Sequence, residues 1–187
     1  MVEDYRFIIT VYIDANGDGM DVNGSVEMNA GVVIINGPTQ NNNGALDHMG
    51  FKIIGGYLLA IGSSGMAQAP DTSFTQYSVM YNFSSTQSAG NLFHIGTESG
   101  EGLLTFAPTK AYQSIVLSSP ELKNGSTYLA YTGGSSTGAV NDGLYSGGSY
   151  TPGTQATSFT VSGTVTTVGS PSGGFPGDGG FPGGGRR

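Results

Sequence analysis

The sequence predicts an all-β fold: a right-handed parallel β-helix (solenoid) end, closed by an antiparallel β cap and followed by a disordered Gly/Pro-rich C-terminal tail. Three observations predict it. The 187 residues include 33 Gly, only 10% are charged and none is Trp; such a chain is rich in turns, and no stretch combines helical periodicity with good helix formers. Short β-branched runs alternate with Asn-Gly corners, the mark of strands joined by sharp turns. One stretch, from Gly17 to Gly62, also repeats itself.

In that repeat Asp21 answers Asp47, Gly24 answers Gly50, Gly31 answers Gly56 and Gly37 answers Gly62, with one residue dropped in the second unit. A period of roughly 25 residues is that of a stacked solenoid. Each unit carries two apolar runs, at 26–28 and 32–35 and then at 53–54 and 57–61, all too short for a helix. Asn23-Gly24, Asn36-Gly37 and Asn43-Gly44 supply the left-handed backbone that corners need. Strands this short gain partners by stacking on their equivalents in the next coil. A pair of hairpins in a sandwich uses the same residue types but requires no repeat.

Residues 7–13 form a strong strand, read as the last part of a preceding coil. Residues 63–70 are a loop. Alternating strands follow at 77–83, 92–96, 102–106, 113–118 and 127–131, with hairpin corners at 98–102 and 122–125. They are expected to cap the open end of the solenoid. Residues 132–154 are a Gly/Ser/Thr-rich excursion, and 157–168 alternate well enough for a final strand. The division is one domain over 1–168, with coils at 5–62 and antiparallel strands and cap at 77–168. A flexible tail at 169–187 carries Phe175-Pro-Gly and Phe181-Pro-Gly. The acidic opening Met1-Val-Glu-Asp lacks the basic start of a signal peptide, and the expectation is a solenoid cut from its earlier coils.

The net charge of −7 argues against nucleic acid and favours divalent cations as partners. The absence of Cys removes disulfide and thiol chemistry. No apolar run approaches the ~20 residues of a membrane span, so membrane insertion is not expected.

Three chemistries are candidates. Calcium takes about 6–8 oxygen ligands, and Asp14, Asn16, Asp18, Asp21 and Asn23 crowd one short span, with Asp47 expected to stack over Asp21. The first half matches an EF-hand loop, but the twelfth position is Ser25 where a bidentate Glu is needed. The competing account is that these residues make turns through their own backbone. Sugar binding calls for exposed aromatic faces, and the chain has ten Tyr. Tyr57, Tyr112, Tyr145 and Tyr150 are candidates, the last two lying in a Gly/Ser-rich loop, although Tyr on strands commonly buries its ring. Catalysis finds less: the basic residues are few, no spacing selects a carboxylate pair, and His48 and His94 belong to no recognisable triad.

The runs at 16–37, Asn43-Gly-Ala-Leu-Asp47, Gly62-Ser-Ser-Gly-Met-Ala-Gln-Ala-Pro70 and Tyr131-Thr-Gly-Gly134 resemble the C-terminal part of a bacterial family of secreted carbohydrate-binding domain-containing proteins. The similarity covers residues 16–169. It implies a fold like that of the pectate lyases, and binding of cellulose and of acidic sugars such as polygalacturonate with calcium. It departs in the N-terminal coils and export signal expected of the family, so no site residue is carried over from it. The expected function is non-catalytic, calcium-assisted polysaccharide binding outside the cell or at its surface. Two alternatives stand beside it. One is a structural subunit stacking end to end into filaments through an open N-terminal β-helix end, and the other is a polysaccharide lyase-like enzyme.

Overall fold

The computed structural model describes residues 9–73 and 75–170. Among them the chain is all-β, with no helix. The first five strands are β1 (Thr10–Asp14), β2 (Met20–Met28), β3 (Val32–Asn36), β4 (Leu46–Ile53) and β5 (Tyr57–Gly62). The next five are β6 (Ser78–Gln87), β7 (Phe93–Thr97), β8 (Gly102–Phe106), β9 (Tyr112–Ser118) and β10 (Thr127–Thr132). The excursion holds β11 (Ser135–Ser136), β12 (Ala139–Asn141), β13 (Leu144–Ser146) and β14 (Tyr150–Thr151), and β15 (Thr154–Thr160) and β16 (Val165–Val168) close the chain.

The repeat sets the pairing of the first five strands. β1, β3 and β5 run parallel side by side, and β2 runs parallel to β4. Asp21 lies beside Asp47 in that second pair. The dropped residue becomes a bulge: the register slips between Val22 and Ser25, so Ser25 rather than Gly24 meets Gly50. The extra Asn23-Gly24 backbone is accommodated there without turning β2 over. Gly31 and Gly56 both take positive φ, +92° and +93°, at the tight entries to β3 and β5. A side chain on Gly31 would sit 2.7 Å from the Ile9 carbonyl oxygen.

The strands form three layers. A mixed sheet has the order β1-β3-β5-β9-β6-β16, and an antiparallel sheet has the order β12-β13-β8-β7-β10-β15. Between them lies the main core, with Leu59, Tyr81 and Leu117 from the mixed sheet meeting Phe93, Phe106 and Tyr128 from the antiparallel one. On its other face the mixed sheet packs against β2 and β4, burying Ile35, Leu58 and Val116 under Leu46, Phe51 and Ile53. Covered on both sides, β3 and β5 read as unbroken apolar runs, whereas the antiparallel sheet alternates. β9 pairs antiparallel with β5 and so covers the edge that the parallel strands would leave open.

The edge of β4 is covered differently. The Asp71 carboxylate accepts the Phe51 N–H at 3.1 Å, the Gln68 side-chain oxygen accepts the His48 N–H at 3.1 Å, and the Asp71 N–H donates to the Phe51 carbonyl at 2.9 Å. Two side chains thus stand in for the backbone of a missing strand.

Two sequence expectations change here. Residues 157–168 are two strands, not one: β15 joins the antiparallel sheet, and β16 crosses to pair with β6, in parallel. The break falls at Ser162-Gly163, where the chain changes layer. The excursion is not plain loop but contains four short strands. The start of the strand expected at 7–13 and the tail beyond 170 lie outside the described residues.

Candidate functional site

Strand alternation decides what the antiparallel sheet shows to each side. Phe93, Ile95, Leu104 and Phe106 enter the main core, which leaves His94, Thr105 and Tyr131 for the opposite face. The excursion folds back over that face: β12 and β13 form a hairpin that continues the sheet beside β8, and β11 pairs with β14. The space enclosed is a cleft of about 520 Å³, within the usual range of ligand sites, roughly 300–1,000 Å³.

His94 forms the floor of the cleft. Its Nδ1 lies 2.7 Å from Thr105 Oγ1, and the Tyr150 ring stacks on it with centroids 3.9 Å apart and planes 10° from parallel. Gly96 and Gly102 face each other across β7 and β8 and leave room for the imidazole. A Cβ on Gly96 would stand 2.9 Å from His94 Nε2, and one on Gly102 would stand 3.1 Å from Cε1. Tyr150 is fixed at its far end, its hydroxyl donating to the Gly133 carbonyl at 2.8 Å. Tyr131 lies 6.2 Å from both rings. The result is a pre-formed aromatic wall whose orientation is set by hydrogen bonds at each end.

Burial lowers the His94 pKa to about 4 and raises that of the Tyr150 hydroxyl. The imidazole is therefore neutral at pH 7. The unfolded chain takes up this proton near pH 6.5 and the folded chain only near 4, so His94 costs stability as pH falls through that window. The full displacement is worth about 3 kcal/mol, screened to about 1–2 kcal/mol by water in the open cleft. His94→Asn is expected to flatten the loss of stability between pH 6.5 and 4 measured by urea unfolding; an unchanged profile refutes the assignment.

Of the predicted aromatic residues, Tyr145 and Tyr150 line the cleft. Tyr57 does not reach it: its ring packs against the main core, and its hydroxyl is enclosed without a partner, with burial pushing its pKa up. Tyr112 is 1% exposed and donates to the Asn91 carbonyl at 3.0 Å, so it belongs to the core.

The predicted calcium ligands meet different partners. Asp14 ends β1 and forms an ion pair with Lys110. A hydrogen bond from Lys110, with another from Thr109, holds its carboxyl below the ordinary carboxylate range. Asp18 accepts the Gly44 N–H at 2.7 Å, tying one repeat unit to the next. Asn16 is exposed in the turn between them, while Asp21 and Asn23 are in β2 rather than at a corner, on its solvent face. Extended backbone sends alternate side chains outward, so these two are the polar half of a strand pattern. Among the described residues no three His, Cys, Asp or Glu side chains could hold a metal ion.

Asp47 remains beside Asp21, and like charges on neighbouring strands repel. Asp21→Asn is expected to raise the melting temperature in chelator by about 1–3 °C. A fall seen with calcium but not with chelator would instead assign the pair to a bound cation.

His94, weighed in the sequence only for a catalytic triad, and Tyr131, Gly96 and Gly102 are not picked out there as cleft residues, because nothing in the periodicity distinguishes a cleft from any other strand face. The available signal is a His on the outward phase of a strand, two residues before a Gly. No family model, curated protein or solved structure matches the chain.

Proposed function

We propose that this protein binds glycan without cleaving it, the sugar rings lying in the cleft against the Tyr150 wall. The observation that carries the reading is the stacked His94–Tyr150 pair, a flat amphipathic surface held in place before any ligand arrives. Tyr131, Tyr145 and the hydroxyls of Thr97, Ser136 and Ser149 complete the lining, combining apolar faces with hydrogen-bonding groups as sugar recognition requires. The lining contains one carboxylate, Glu98, and no Lys or Arg. Glycoside hydrolysis ordinarily uses a carboxylate pair, and a uronate needs cations, so the chemistry favours binding of a non-acidic chain such as cellulose over polygalacturonate. An extracellular or cell-surface location belongs with this reading.

Affinity electrophoresis through gels containing soluble cellulose derivatives tests it. Retarded migration without release of reducing ends or unsaturated product is expected, and unretarded migration in every glycan gel removes the proposal.

In-step parallel pairing of β1, β3 and β5, with β2 beside β4, supports two coils of a right-handed parallel β-helix completed by antiparallel strands. A second functional reading, self-association through the β1 edge, is favoured by the exposure of Ile9 at 67% and Val11 at 40%. Sedimentation that accelerates with protein concentration supports it, and a concentration-independent monomer removes it.

A further inference from the structure

The one charged side chain that lines the cleft is negative. Glu98 stands at the turn between β7 and β8, exposed and lining the cleft, and has no cationic partner among the described residues. The ion pairs described there join Lys52 to Glu27 and Lys110 to Asp14. The Tyr131, Tyr145 and Tyr150 rings add the negative faces of their π-systems. His94 contributes no positive charge, because burial keeps it neutral. A carboxylate with three phenol rings and no nearby Lys or Arg is arranged to receive a cation on an otherwise polar, ring-shaped ligand.

We infer that the cleft selects a glycan bearing a protonated amine, an amino sugar of the glucosamine type, with Glu98 as its counter-charge and the tyrosine rings as the surface its ring lies against. This rests on the glycan-binding reading of the same cleft. Glu98 sets the order amine over neutral hexose over uronate. Because the carboxylate is exposed, the preference is modest, about two- to fivefold at low ionic strength, and it shrinks as salt shortens the reach of the charge.

Calorimetric titration in mildly acidic low-salt buffer, which keeps the amine protonated, separates the outcomes. The probes are chitosan, cellulose and polygalacturonate oligomers of equal length, against the full chain and its Glu98→Gln variant. The net charge of −7 attracts any polycation, so the variant decides rather than the ranking alone. The expected result is tighter binding of the chitosan oligomer than of the cellulose oligomer by the parent chain, with Glu98→Gln bringing the ratio of the two affinities to about one. Equal affinities in the parent chain, or a preference that survives Glu98→Gln, overturn the inference and leave glycan binding standing. No heat from any oligomer overturns both. Glu98 is exposed at a turn, so the variant is expected to fold; a thermal melt matching the parent chain checks this.

Discussion

Replacing Phe93 with alanine is expected to remove about 3–5 kcal/mol of stability, a large share of the roughly 5–15 kcal/mol typical of a folded domain. Phe93 is fully buried at 0% exposure and is where the antiparallel sheet touches the mixed one through aromatic rings. Its centroid is 5.3 Å from that of Tyr81 and 5.5 Å from that of Phe83, and Phe83 in turn meets Tyr112 edge-on at 5.5 Å. Truncation leaves a cavity that neighbours on two different layers must both move to fill. They belong to paired strands, so collapse is incomplete and the cost stays near the upper end for such changes. Urea unfolding gives the test: the midpoint should fall with the slope unchanged. A loss below about 1 kcal/mol would mean that the two sheets do not share the core described for them.

Gly134→Ala is expected to weaken the proposed glycan binding while leaving most of the fold intact. Gly134 has φ +79°, a conformation costing a non-glycine residue about 1–3 kcal/mol. A Cβ there would run into the Thr151 carbonyl and stand 2.7 Å from the Gly153 nitrogen and 3.0 Å from the Tyr150 hydroxyl. The Gly153 N–H donates to the Tyr150 hydroxyl, which itself donates to the carbonyl of the adjoining Gly133, so relief of the clash displaces the ring from His94. The excursion gives the two cores only the partly buried Leu144, at the margin of the main one, and the expected pattern is a thermal midpoint lowered by only a few degrees with glycan affinity reduced at least about tenfold. Retained affinity would show that Tyr150 is not the surface the sugar uses.

The parts of the molecule legible in the sequence are those governed by local periodicity. β3 and β5 were readable as β-branched runs between Asn-Gly corners. The pairing of Asp21 with Asp47 followed from a repeat that a single dropped residue did not obscure. Tyr145 and Tyr150 stood out because a Gly/Ser-rich segment offers few neighbours to bury them. Contacts across distant stretches were not readable. Asp14 looks like a free ligand until the loop after β8 brings Lys110 to it, and Asp18 looks free until Gly44 of the next unit donates to it. Tyr57 sits on an apolar run, and only the packing of the layers shows that its ring faces the main core. His94 acquired its role only when β8, β10 and the excursion assembled around it. The break in 157–168 depended on a change of layer, which alternation alone does not register.

The two edges of the N-terminal strand stack are unlike. At one end β1 and β2 have no further strand beside them among the described residues. At the other end β9 lies against β5, while Gln68 and Asp71 occupy the hydrogen-bonding positions of β4. In the language of polymer chemistry, the strand stack carries a chain stopper at one terminus. Two copies that paired through β1 would each turn an edge already occupied at β5 and β4 away from the contact.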